Sequence, residues 1–544
     1  MHKRKSPLKV VPGEVRPKLA GVETVDAIVI GAGHNGLVAA NLLADAGWTV
    51  QVIEATAHPG GAVRSGEITA PGYLSDLFSA FHPLGYASPV LRALDLDVRW
   101  THAPDVFSHL LPDGRAATVS RDVHRTAESM ERFAPGDGQR WTDAYAEWRG
   151  ISDRLLDVLF TPFPPIRSGL GLLGRLGTAD ALRMARRLLL PVSQLGRELF
   201  DGEGARLALA GCALHTDLTP QEAGGGVFGW LLAMLGQQVG WPVPAGGAGE
   251  LTAALVRRFT GEIVYGTPVS RVLVARGRAV GVRTADGRDR RARRAVIADV
   301  PAPTLFLNLV GERWLPPRMA EDLAHFRWDG ATVKVDWAVR GQVPWANPEV
   351  AGSGTVHLGA DLNGLTRYAG ALSSDELPED PFLLLGQMTT ADPSRSPAGT
   401  ESMWAYTHLP HRQSWPADEI AAHVERMESV VERSAPGFRS LVEARHVYSP
   451  ADLERENPSL VGGALGAGTS AVFQQLFLRP IPGLGRADTP IDRLYQGGAS
   501  SHPGPGVHGV PGANAARAAL ARDRGLTGGL YRAAVAGAHR AIYR

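Results

Sequence analysis

Gly31, Gly33 and Gly36 stand in a run of six residues, and an acid, Glu54, follows eighteen positions later. The chemistry such a spacing performs is the holding of a dinucleotide. Gly31 allows a tight turn, Gly33 lets the backbone approach a diphosphate, and Gly36 lets a helix pack close to its strand. Glu54 can accept hydrogen bonds from ribose hydroxyls. His34 and Asn35 lie between the glycines, where a helix start offers free N–H groups to an anion. A second group follows at Gly60-Gly61-Ala62-Val63-Arg64-Ser65. Its glycine pair permits another close backbone approach, and Arg64 adds a fixed positive charge. A third group, near the other end of the chain, runs from Gly497 and Gly498 through His502-Pro503-Gly504-Pro505-Gly506-Val507-His508 to Gly512. Gly and Pro fix a backbone that must lie against something flat, and a helix from Ala513 to Arg524 then presents its N-terminus.

The elements that must position these groups are readable around them. Ala27-Ile28-Val29-Ile30 is a buried-strand run, Leu37 to Ala46 is a helix stopped by Gly47, and Thr49 to Ile53 is a second strand ending in Glu54. This βαβ context makes the glycine spacing informative. Gly169-Leu170-Gly171-Leu172-Leu173-Gly174 has the same spacing after a Pro-rich stretch, with no strand before it and no acid-ended strand after it. It reads as a flexible approach to a helix, without a nucleotide. No second fingerprint in βαβ context exists, so a bound nicotinamide cofactor is disfavoured.

Composition narrows the class. The chain has 544 residues, 44% hydrophobic and 20% charged, with net charge +1. Such a chain forms well-cored domains, two or more at this length, and gives no reason to expect nucleic acid as partner. The single cysteine, Cys212, excludes an internal disulfide and a redox-active cysteine pair. The histidines make no metal-ligand spacing, so no metal is expected. No apolar run reaches the roughly 18 residues that span a bilayer.

The glycine fingerprint with Glu54, the GGAVRS loop and the HPGPG…GVPG segment together resemble the two-dinucleotide-binding-domain flavoproteins. Within them, the chain is similar to the phytoene dehydrogenase-like family, including its pyridine nucleotide-disulfide oxidoreductase domain-containing protein 2 type. The resemblance implies an α/β fold. A discontinuous Rossmann-like FAD-binding domain would be interleaved with an α+β substrate domain and a helical lid. The implied division is a basic tail (1–22), FAD-binding parts at 23–105, 243–310 and 484–544, and substrate parts at 106–242, with the lid, and 311–483. It implies FAD as cofactor, held by Gly31, Gly33, His34, Asn35, Gly36, Glu54, Gly60, Gly61, Arg64, Ser65, Gly497, Gly498, His502, Gly506 and Val507. The backbone at Val269 would contact adenine. A helix N-terminus beside the flavin would stabilise its reduced, negatively charged form.

The implied function is an FAD-dependent oxidoreductase, a dehydrogenase, desaturase or oxidase. It would move hydride from a C–H bond of an apolar, isoprenoid- or carotenoid-like substrate to flavin N5, with oxygen or a quinone as electron acceptor. The alternatives are a non-redox flavin isomerase or cyclase, and a non-enzymatic escort that keeps the fold. His502, His82 and Lys334 are the candidate proton acceptors, and Tyr86 is a further candidate for the substrate side. Lys334 is the only lysine after Lys18. It lies in Thr332 to Val339, whose period of two puts Val333, Val335, Trp337 and Val339 on one face and Lys334 and Asp336 on the other. It resembles the amine oxidase lysine that holds a water near the flavin; the other reading is a strand lysine paired with a carboxylate. The Leu- and Arg-rich helices between 140 and 240 read as a core-facing lid over an apolar cavity, with contact at a membrane surface as the other reading. The cytoplasm is the expected compartment.

Overall fold

The computed structural model describes residues 24–412 and 414–544; the expected tail at 1–22 lies outside them. Its first seven-stranded sheet is built on Thr24–Ile30, whose Ala27 to Ile30 run is buried on both faces. Such a run suits the middle of a parallel sheet. Val50–Ile53 pairs parallel on one side and Asp289–Ala298 on the other. Glu262–Val264 and Leu494–Gln496 extend the parallel part outward. The N-terminal half of Asp289–Ala298 also runs antiparallel to Arg278–Thr284, which pairs with Val269–Ala275. The five parallel strands end at one edge, where Gly31, Glu54, Tyr265, Asp299 and Gly497 follow them. Ligands of open α/β sheets bind at this edge.

Two helices begin there side by side. His34–Asp45 starts directly after Gly33, and Val510–Asp523 starts after Gly509. Both begin three residues earlier than expected, because Gly36 and Pro511-Gly512 are tolerated in the first turn. A Cβ on Gly512 would lie 1.9 Å from the Asn35 carbonyl oxygen, so only glycine permits this approach.

The second seven-stranded sheet has the order Val442–Tyr448, Ala331–Val339, Glu401–Leu409, Leu383–Gln387, Ser353–Leu358, Asp105–Leu110 and Ala116–Val119. Every pairing is antiparallel except that of Ser353–Leu358 with Asp105–Leu110. Val333, Val335, Trp337 and Val339 pack with Met403, Leu385 and the helix Ala417–Ser434 in one core. Lys334 and Asp336 point the other way, as the alternation requires.

A helical layer, Asp137–Phe160, Ile166–Leu189, Val192–Leu199, Glu203–Ala213 and Gly225–Val239, covers the other side. Two expectations change here. The glycines of 169–174 lie inside Ile166–Leu189, where a Cβ at Gly169 or Gly174 would meet nothing within 4 Å. That stretch is helix, not a loose approach to one. The same helix is not core-facing: its one buried residue is Met184, while Ile166, Leu170, Leu173, Leu182 and Leu189 are exposed. It rests on its neighbours through Leu172 and Leu176, which leaves the rest of its apolar surface outward. No helix among the described residues is long and apolar enough to cross a membrane.

Candidate functional site

The fingerprint turn is closed from three sides. Gly31 adopts φ +92°, and a Cβ there would come within 2.9 Å of the Asp299 carbonyl oxygen. Glu54 is buried at its strand end. One carboxylate oxygen accepts the Ala32 N–H at 2.7 Å and the other accepts the Thr56 N–H and hydroxyl, each at 2.8 Å. Thr267 N–H donates to the Glu54 carbonyl, which brings Val269, first residue of its strand, beside the same strand end.

The loop Gly60–Ser65 lies directly on this turn. Gly33 and Gly60 form a β-bridge, and a Cβ on Gly61 would stand 3.2 Å from the Gly33 Cα. Arg64 donates to the Glu456 carbonyl at 2.9 Å, and its guanidinium sits 5.3 Å from the centre of the Phe78 ring. Its buried Nε has no partner. Ser65 donates to Asp76 at 2.6 Å and accepts from the Gly249 N–H. Asp76 in turn pairs with Arg395 at 2.9 Å, both fully buried, and Arg395 with Asp392. This network ties the loop to the Pro244–Gly249 turn, since Gly246 N–H donates to Asp392 and Ala248 N–H to Asp76.

The C-terminal loop reaches the same place from the far end of the chain. Gly497 N–H continues the ladder to the Ala298 carbonyl, and His34 Nε2 is 3.1 Å from the Gly506 carbonyl. Gly506 holds φ +133°, and Val507 packs among Leu37, Val38 and Leu91. Burial pushes His34 down to about 4 and His508 down to about 3, so both rings are neutral near pH 7. Gly31, Gly33, His34, Gly61, Arg64, Asp299 and Gly506 all keep part of their surface open, and they outline a groove along the strand ends. Asn35 contributes a buried side-chain oxygen without a partner near the fingerprint helix start. Glycines at the close approaches, two convergent helix N-termini and orphaned polar atoms fit a bound dinucleotide.

The three proton-acceptor candidates separate. His82 is buried against Ser79, 3.0 Å from its hydroxyl, with Nδ1 unpartnered. Burial lowers it to about 4, with Asp76 opposing and His34 and Arg395 adding to the shift. Lys334 forms a buried ion pair with Asp336 and lies 5.9 Å from the centre of the Tyr448 ring. Tyr448 meets Phe78, which lies under Arg64. Contacts therefore run unbroken from the Arg64 loop to Lys334. His502 faces elsewhere. Its ring meets Phe163, and it lines a cavity of about 190 Å³ with Pro162, Asn514 and Arg517. Burial lowers it to about 4. Tyr86 is exposed beside Trp100 and His102.

Sequence reasoning missed two features. The first is Asp299, an acid directly after a strand, as Glu54 is, and so findable by the same sign. The second is the row that the second sheet's register sets beside Lys334: Tyr448 on one side, then Tyr406, Leu384, His357 and His109 on the other. His357 and His215 approach to 3.1 Å, and burial holds both well below the ordinary histidine value. Among the described residues no group of three or more His, Cys, Asp and Glu could hold a metal ion. Cys212 is buried, which pushes its thiol up and leaves it unreactive.

Comparison with known proteins gives the geometry a context. A family model described as flavin containing amine oxidoreductase matches residues 36–513. The pyridine nucleotide-disulfide oxidoreductase domain-containing protein 2 of Rattus norvegicus is 27% identical over 541 residues, covering 90% of this chain and 92% of that protein. A phytoene desaturase (neurosporene-forming) of Cereibacter sphaeroides is 27% identical over 545 residues, covering 93% and 96%. Among solved structures, an oxidoreductase from Methanosarcina mazei superimposes with a TM-score of 0.60 at 16% identity, over 91% of this chain and 99% of that one.

Proposed function

The chain belongs to the flavin containing amine oxidoreductase family, and on that premise we propose that it dehydrogenates an apolar organic substrate of the isoprenoid or carotenoid kind. It is an FAD-dependent oxidoreductase of the hydride-transfer type. When bound, FAD supplies the ring that accepts the hydride. The observation that carries the reading is the meeting of three motif groups at one strand-end groove, joined by the Gly33–Gly60 bridge and the His34–Gly506 contact.

In this reading the N–H groups at the start of His34–Asp45 hold the diphosphate, with Gly60, Gly61, Arg64 and Ser65 closing over it. Glu54 binds ribose, and Val269 contributes its backbone on the adenine side. Gly497, Gly498, Gly506 and Val507 line the ring side, where Val510–Asp523 directs its N-terminus. Lys334 and His82 are the groups we assign to handle the proton, because Tyr448 and Phe78 connect Lys334 to Arg64, and His82 lies in the field of the Asp76–Arg395 pair. Asp336 fixes the Lys334 ammonium, which can hold a water by donating to it. His82 is a neutral imidazole with one free nitrogen. His502 backs onto the Phe163 cavity and serves to support the loop.

The exposed leucines of Ile166–Leu189, interspersed with Arg167, Arg175 and Arg183, suit a peripheral contact with a membrane surface from which an apolar substrate is drawn. A cytoplasmic enzyme that visits such a surface, with oxygen or a quinone as acceptor, fits these features. The test is optical. The purified holoprotein should be yellow and should bleach anaerobically when given phytoene in liposomes. A protein that takes up no FAD on reconstitution ends the proposal; one that takes up FAD but stays yellow with isoprenoid, fatty and amine substrates removes the substrate class alone.

A further inference from the structure

We propose that Asp299 is a further member of the cofactor site, bound to FAD as the neutral acid, so that its ionisation weakens FAD retention. The inference rests on the FAD reading of the groove. Asp299 follows the strand Asp289–Ala298 and stands between the first and third motif groups. Its Oδ2 accepts the Gly36 N–H at 2.8 Å, one of the free N–H groups of the fingerprint helix. A Cβ on Gly33 would lie 2.6 Å from that oxygen, and one on Gly498 would lie 3.1 Å from Oδ1. The carboxyl thus touches the backbone of both loops that are to hold the cofactor.

Nothing nearby neutralises it. Among the described residues no Lys, Arg or His forms an ion pair with Asp299. The helix His34–Asp45 brings His34, held neutral by burial, and the strand Val50–Ile53 brings Glu54, a second acid. The Gly497–Gly498 turn brings no charge. Burial, aided by Glu54 and opposed by the Gly36 N–H, lifts Asp299 to about 7. A helix start accommodates one anion comfortably. A diphosphate beside an ionised Asp299 and Glu54 would crowd the same N-terminus with like charge, and like charge favours the protonated acid. FAD binding above neutral pH therefore takes up a proton.

The experiment is calorimetric titration of FAD into the apoprotein between pH 6 and 8.5, in two buffers of different ionisation heat. The wild type should take up close to one proton per FAD at pH 8 and bind about tenfold more weakly for each pH unit above the Asp299 value. Asp299→Asn, which keeps the shape and one acceptor, should bind without proton uptake and equally well across the range. Glu401 is the other carboxyl that burial lifts to about 7, and it lies on the second sheet against Thr389 and Thr390. Glu401→Gln should keep the wild-type slope. Absence of proton uptake in the wild type, or an unchanged slope in Asp299→Asn, overturns the inference while FAD binding itself stands. No FAD binding at any pH overturns the cofactor reading and this one with it.

Discussion

The two seven-stranded sheets put their chemistry in different places. In the first, the parallel strands bury apolar runs and the candidate site collects at their ends, on backbone groups and short loops. Gly33, Gly60, Gly497 and Gly506 act there through the absence of a side chain. In the second, polar and titratable side chains lie across a face. Lys334, Tyr406, Tyr448, His357 and His109 come from five strands and meet only through register. The first design tolerates no bulk, and the second tolerates no unpaired charge. That contrast says what kind of change each region should fail to survive.

The largest effect should come from acid, which acts on both regions. His34, His82 and His508 by the groove, and His109 and His215 behind the second sheet, have values lowered to about 3 or 4 by burial. The unfolded chain takes up these protons first, so their stabilisation is complete above the ordinary value of 6.5 and is lost as pH falls toward 4. Each such imidazole costs about 1.4 kcal/mol per pH unit in that window. Asp299 and Glu401, lifted to about 7, act oppositely and gain stability on acidification, but the imidazoles outnumber them. Tm measured from pH 7.5 to pH 5 should therefore fall steeply. A flat profile would show that the imidazoles of both regions charge without opening the structure.

Next is Lys334→Met, which strands Asp336 without its cation in a fully buried position. A loss of about 3–5 kcal/mol is expected in denaturant unfolding. Lys334→Met with Asp336→Leu should recover most of that stability without recovering turnover. Recovery of turnover as well would reduce the pair to a structural element and leave His82 as the remaining proton handler.

Gly512→Ala attacks the first sheet's design instead. The new methyl meets the Asn35 carbonyl, and overpacking of this kind costs about 1–3 kcal/mol. Because it forces the two helix starts apart, FAD occupancy should fall along with Tm. Full occupancy at lowered Tm would separate the helix contact from the cofactor site. The smallest effect should be that of Glu54→Gln, which keeps size and one acceptor. FAD affinity measured by fluorescence should drop about tenfold, as for a charge-assisted hydrogen bond made neutral, and Tm should fall modestly because either Ala32 or Thr56 loses its acceptor, a cost of about 1 kcal/mol. Unchanged affinity would remove Glu54 from the ribose.

The first region was legible in the sequence because its signals are local. A glycine that must adopt φ +92°, an acid at a strand end and a loop of alternating Gly and Pro are properties of neighbouring residues. The same sign missed Asp299 only because its strand, Asp289–Ala298, carries no glycine turn after it. The second region was legible in part. The alternation from Thr332 to Val339 gave the two faces of one strand, and the pairing of Lys334 with Asp336 was one of its two readings. It gave no access to Tyr448, Tyr406 or His357, which join one row only after four separate strand pairings are made. The outward face of Ile166–Leu189 was misjudged for a related reason. A Leu-rich helix reads as core-facing until the size of the neighbouring surface is known.

Sequence alone thus determined that a dinucleotide fingerprint lies at one end of a βαβ unit, singled out two further Gly-rich loops, and identified FAD as the cofactor by family resemblance. Only the tertiary structure decided that the loops meet across 472 residues at His34 and Gly506. It also linked Lys334 to the Arg64 loop through Tyr448 and Phe78, set His502 against Phe163, and brought a half-buried carboxyl from Asp299 to the fingerprint helix. The physical reason is range. Backbone conformation and helix-end charge act over a few residues and are written in order along the chain. Burial, register and the desolvation of a charge depend on what packs from elsewhere.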